Sequence, residues 1–112
     1  MNKLTGMFFI AITIFSIVSV NGAPDTRIRF ARGRTSATVS GNVRSGGRVC
    51  YVAGAREGQT LTATLSSHTG KAQIFESGDT SYNMSVEIAG DQSICVDNMG
   101  SATRYTLTVS IN

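Results

Sequence analysis

The sequence predicts an all-β chain: a small antiparallel β-sandwich of about 7–8 strands with one disulfide, preceded by a cleaved signal peptide. Three observations lead there. Apolar residues alternate with polar ones almost throughout the region after residue 22. No helical period appears after Val20. Glycine-bearing turn signals divide the alternating runs at short intervals, where Gly supplies positive φ and Asn or Asp tolerates it.

The first element is a leader. Met1-Asn2-Lys3 is a positive start, Leu4 to Val20 carries no charge, and Val20-Asn21-Gly22 offers a small-residue exit. A membrane anchor is the competing reading, but no basic stop-transfer cluster follows Gly22, and the run is at the short limit for a bilayer span. The division expected is therefore 1–22 signal peptide and 23–112 a single β-sandwich domain, since so short a remainder does not hold two ordinary domains. The exported chain is expected to be periplasmic or secreted, with no membrane span left after cleavage.

The strands follow in order. Arg27-Ile28-Arg29-Phe30 alternates charged and apolar, and Ala37-Thr38-Val39-Ser40 continues to Val43. Val49 and Tyr51 share a face around Cys50. Leu61, Ala63 and Leu65 oppose Thr60, Thr62, Thr64 and Ser66. Ala72 to Phe75 is a weaker strand. Met84, Val86 and Ile88 alternate with Ser85 and Glu87, and Ile94 and Val96 with Ser93, Cys95 and Asp97. Tyr105, Leu107, Val109 and Ile111 form the clearest run, with Thr106, Thr108 and Ser110 between. Two sheets, each with one polar and one apolar face, would close over a single core.

The cysteines, Cys50 and Cys95, are an even pair in an exported domain, so one disulfide is the simplest reading. Parity places both opposite the core-facing residues of their runs. The bond should staple neighbouring strands on an outer face instead of crossing the core.

Catalysis finds little support. His68 is the single imidazole and sits in a Ser66-Ser67-His68-Thr69-Gly70 turn, with no acidic residue spaced to orient it and no GxSxG elbow. The seven carboxylates are scattered, mostly at turns. No metal-ligand spacing and no phosphate-cradling loop appears, so no enzyme, cofactor or metal is expected. Arginine is the other feature: Arg27, Arg29, Arg32 and Arg34 fall close together. They make either an anion-binding patch or a charged edge that resists strand pairing. Without aromatic interleaving beyond Phe30, nucleic acid is not an expected partner. Met99, in the polar loop before the last strand, either contacts a partner or folds back to cap the sandwich.

Arg27 to Gly33, Ser36 to Gly41, Ala55 to Leu61, and the closing segment Ala89-Gly90-Asp91, Ile94, Val96, Met99, Ser101-Ala102 and Arg104 to Val109 resemble the bacterial inhibitors of g-type lysozyme. Gly-Gln-x-Leu and Tyr-x-Leu-x-Val are also similar to bacterial pre-peptidase C-terminal modules. The first resemblance implies an exported sandwich that inserts loops into a lysozyme cleft, protecting peptidoglycan, with a protein partner and no cofactor. On that reading Gly90, Asp91 and Gln92, together with Asn98, Met99, Ser101 and Arg104, would make the contact, their loops protruding side by side at one end. The second resemblance implies a non-catalytic accessory module that contacts envelope polysaccharide or protein through the Arg-rich edge, for which a flat polar face is expected.

Overall fold

The computed structural model describes residues 25–112, so the leader over 1–22 and its cleavage point lie outside the described residues. Among the described residues eight strands make two sheets. The first sheet contains β1 (Thr26–Arg27), β3 (Arg48–Ala55), β7 (Gly90–Asn98) and β5 (Ala72–Ile74), in the order β1-β3-β7-β5. The second contains β2 (Ser36–Val43), β8 (Thr103–Ile111), β4 (Thr60–Ser67) and β6 (Ser81–Ser85), in the order β2-β8-β4-β6. All neighbours are antiparallel except β1, which joins β3 in parallel for two residues.

Burial follows the alternation read from the sequence. Tyr105, Leu107, Val109 and Ile111 on β8, and Leu61, Ala63 and Leu65 on β4, face Tyr51, Ala53, Ile94 and Val96 across one core. Alternation fails at Ile88, which was expected inside and is 81% exposed. Val86 N–H still bonds to Gln59 O, but beyond it the chain must leave the second sheet to reach β7 in the first. Residues 87–89 are therefore a crossing and not a strand. Tyr82 and Met84 fill the partly buried positions of β6.

The cystine lies where parity puts it. Cys50 and Cys95 face each other in the β3–β7 register and are bonded, on the side of the sheet opposite Tyr51 and Ile94. The run into the edge covers it: Phe75 N–H bonds to Cys95 O, Glu76 Oε1 accepts from Cys95 N–H, and the Arg48 guanidinium stacks 3.9 Å from the Phe75 ring centre.

One polar contact bridges the core. The Tyr51 and Tyr105 hydroxyls meet at 2.5 Å, linking the first sheet to the second. Burial and that bond raise the Tyr105 phenol well above its ordinary value. Gly41, opposite Tyr105 on β2, makes room: a Cβ there would stand 2.8 Å from the hydroxyl oxygen and 3.1 Å from the ring carbon bearing it. Gly41→Ala is expected to displace the ring from its hydrogen bond and destabilise the protein by about 1–3 kcal/mol. Urea unfolding checks this, and Gly41→Ala combined with Tyr105→Phe should recover part of the loss.

Candidate functional site

Strand direction decides which loops can act together. β2 ends at Val43, β4 at Ser67 and β7 at Asn98, and β8 begins at Thr103. Val43 pairs with Thr103, Ser67 with Tyr105 and Ala72 with Asn98. The segments 44–47, 68–71 and 99–102 therefore emerge at the same end of the sandwich. Gly90 pairs with Ala55 at the other end. Two loops that flank one strand leave it at opposite ends, so Gly90 and Asn98 are roughly 25 Å apart along β7. The expectation that Gly90, Asp91 and Gln92 lie beside Asn98 to Arg104 is corrected by this geometry.

Residues at the Gly90 end already have structural partners. Asp91 accepts two bonds from Arg27, at 3.0 and 2.7 Å. The pair spans β3 above Gly54, where a Cβ would lie 3.8 Å from the guanidinium and 3.9 Å from the carboxylate. The bond to Arg27 holds the Asp91 carboxyl below its ordinary value. Gln92 Nε2 donates to Ile88 O and Gly90 O, closing the crossing segment.

Asn98 is also a structural residue. It was expected at a partner surface but is 2% exposed. Its Nδ2 donates to the carbonyls of Val43, Arg44 and Ser101, and its Oδ1 accepts from Gly100 N–H. Its own N–H and C=O bond to Gly47 O and Gly46 N–H. One side chain thus ties the 44–47 loop to the 99–102 loop. Met99 N–H bonds to Lys71 O, bringing in the third segment, and Thr69 N–H bonds to Thr103 Oγ1.

The clasp holds up a tip and a groove. Met99 is 68% exposed and does not fold back as a cap, and Ser101, Ala102 and Arg104 are exposed beside it. Next to the tip, a groove of about 770 Å³ is lined by apolar Val43 and Val49 and by Arg44, His68 and Arg104. His68 N–H bonds to Arg104 O, fixing the turn on the start of β8. Among the described residues the ion pairs are Arg27–Asp91 and Arg48–Asp97. Asp97 is thereby committed, leaving Arg44, Lys71 and Arg104 as cations without an acidic partner at this end. Arg44 and His68 were missed as site residues because only strand pairing brings their turns beside Arg104.

A second surface is the outer face of the second sheet. Ser36 and Ser110, Thr38 and Thr108, and Ser40 and Thr106 are hydroxyl pairs at 3.2, 3.2 and 3.3 Å across β2 and β8. The register continues each row onto Thr62, Thr64 and Ser66 of β4. These rows carry no charge.

No protein-family model matches the chain, and no curated protein sequence matches it. Solved structures do. Aeromonas hydrophila PliG, a periplasmic lysozyme inhibitor of g-type lysozyme, superposes with a TM-score of 0.69 at 23% identity, over 79% of this chain and 96% of that chain. Salmonella Typhimurium PliG, described in the same words, gives a TM-score of 0.63 at 18% identity, over 81% of this chain and 100% of that one. A mutant of the Escherichia coli inhibitor gives 0.60 at 19%, over 79% and 97%. At these identities the likeness is one of fold.

Proposed function

We propose that the chain is an exported, periplasmic inhibitor of a lysozyme, and that it docks the end bearing Met99, Ser101 and Arg104 into the enzyme's substrate cleft. The observation that carries the reading is the charge of that end. Glycoside hydrolases place a pair of carboxyl groups across the scissile bond. The loop end offers Arg44 and Arg104, unpaired among the described residues, with His68 around an apolar-lined groove, a further unpaired cation in Lys71 on the adjoining loop, and an adaptable thioether at its tip. Arginine suits such a cleft because its planar fork engages carboxylates bidentately. A clasped, disulfide-bearing scaffold loses little ordering entropy on docking. The fold shared with three g-type lysozyme inhibitors supports the same reading. The contact set is Arg44, His68, Met99, Ser101 and Arg104, with Gly90, Asp91 and Gln92 outside it.

Lysis of peptidoglycan by goose-type, chicken-type and invertebrate-type lysozymes, with and without the protein, tests the reading. Inhibition of the goose-type enzyme is expected, and no inhibition of any class at micromolar excess rejects it. Met99→Ala with Arg104→Ala should weaken inhibition by at least about tenfold while leaving the melting temperature almost unchanged, since both side chains are exposed. Inhibition should also weaken as salt rises.

One observation favours a second reading, that of a non-catalytic binding module. The uncharged hydroxyl face is the flat polar surface such a module would present to a polysaccharide. Co-sedimentation with purified peptidoglycan separates the two. Binding lost on Thr106→Val with Thr108→Val, but kept on Arg104→Ala, selects the module.

A further inference from the structure

We infer that the protein self-associates through the edge of β2, which no described strand covers, so that the second sheet runs continuously through two copies. Ile111 N–H donates to Thr35 O at 2.8 Å, which makes Thr35 and Ile111 a hydrogen-bonded pair. Antiparallel pairs alternate, so Ala37, Val39, Gly41 and Val43 exchange bonds with β8. The N–H and C=O groups of Ser36, Thr38, Ser40 and Asn42 point away from the sheet, and all four residues are exposed.

The other edges are short. β1 has two residues, β5 three and β6 five, against eight in β2. Native edges of this length carry lysine, proline, a bulge or a cover. β2 reads Ser-Ala-Thr-Val-Ser-Gly-Asn-Val, with no charge and no proline, and its one-for-one register with β8 has no bulge. The N-terminal arginines, which could have guarded an edge, lie before it.

A second copy fits this edge because the edge is complementary to itself. Antiparallel pairing centred on Val39 sets Ser36 against Asn42 and Thr38 against Ser40, matching outward donors to outward acceptors in about eight hydrogen bonds. Val39 meets Val39, and Ala37 meets Gly41. These are half-buried positions on the core-facing side, which the pairing removes further from water. On the other side the Thr38 and Ser40 hydroxyls meet; just beyond the paired strands Arg34 of one copy comes opposite Arg44 of the other at each end, so the dimer should strengthen as salt rises. The two-fold axis points the Met99 ends of the copies in opposite directions; Asn42, on the paired edge, also lines the groove, so the second copy stands at the groove's rim. The inference does not rest on what those grooves bind. A single-strand interface is small, so the dimer forms in the upper micromolar range.

Sedimentation equilibrium of the protein from about 10 μM to about 1 mM should show the mass rising towards twice the monomer. Over the same range the amides of Ser36, Thr38, Ser40 and Asn42 should become protected from exchange. Thr38→Pro removes an outward N–H without touching the β8 ladder, and is expected to stay monomeric with a near-native melting temperature. Ser40→Lys, which brings lysines together on one face of the junction, should do the same and serves if the proline variant does not fold. A monomeric mass up to about 1 mM overturns the inference, as does a dimer that survives in every folded variant or leaves the four amides unprotected.

Discussion

Asn98→Asp should destabilise the protein by about 3 kcal/mol or more at neutral pH, and should abolish inhibition even in molecules that stay folded. The side chain is 2% exposed and donates to three carbonyls from a single amide nitrogen. Aspartate keeps the size, removes both donors and aims an anion at those oxygens. Burial and the carbonyl dipoles both disfavour the charged form, so the introduced carboxyl titrates higher in the folded than in the unfolded chain. A carboxyl shifted in that direction is least harmful below its unfolded value of about 4, where it is protonated in both states, and increasingly harmful as pH rises through the folded value. Protonated, it can still donate once. Urea unfolding should therefore show a smaller deficit near pH 4 than near pH 7, measured against the native protein at each. A deficit under about 1 kcal/mol at pH 7, or one that grows towards acid, would show that the clasp does not organise the loops. Under the proposed inhibitor reading Arg104→Ala should weaken inhibition and spare stability, whereas Asn98→Asp should damage both.

The strands were legible because each buries one face, and a period of two is visible without knowing what lies opposite. Leu61, Ala63 and Leu65, and the run from Tyr105 to Ile111, are inside as alternation requires. Ile88 continues the same pattern and is outside, because alternation does not reveal where a strand must break to change sheets. The candidate site was legible in its residue types and not in its assembly. Alternation over Ile94 and Val96 already implied that the Gly90 and Met99 turns leave opposite ends of one strand, and that inference was available from the sequence. The gathering of Arg44, His68 and Arg104 was not, because it depends on β2 and β4 both flanking β8. Asn98 reads as a loop residue in a polar turn. Its burial comes from carbonyls brought by the turn after β2, more than fifty positions away.

The largest effect is expected at the cystine. Cys50→Ser with Cys95→Ser should lower the unfolding free energy by about 4 kcal/mol, the loop-closure entropy that a bond spanning 45 residues withdraws from the unfolded chain. A domain of this size has a total stability of about 5–15 kcal/mol, so the melting temperature should fall by roughly 15–30 °C. The location of the bond sharpens the test. Both sulfurs sit on the outer side of the first sheet, opposite Tyr51 and Ile94, so replacing them opens no space in the core. Alanine and serine pairs should therefore be about equally destabilised, and the native protein under reductant should melt with them. A serine pair clearly worse than the alanine pair would mean that the hydroxyl at position 95, buried beneath the Phe75 run at 6% exposure, finds no partner there. A fall of less than about 5 °C would mean that the unfolded chain is already constrained by other contacts, since the bond acts there and not on the native ladder. A domain that loses this much on reduction should be distinctly more stable in an oxidising compartment than in a reducing one. Thermal melts across a glutathione redox series should show that dependence as a stepwise loss of melting temperature, absent from the serine pair.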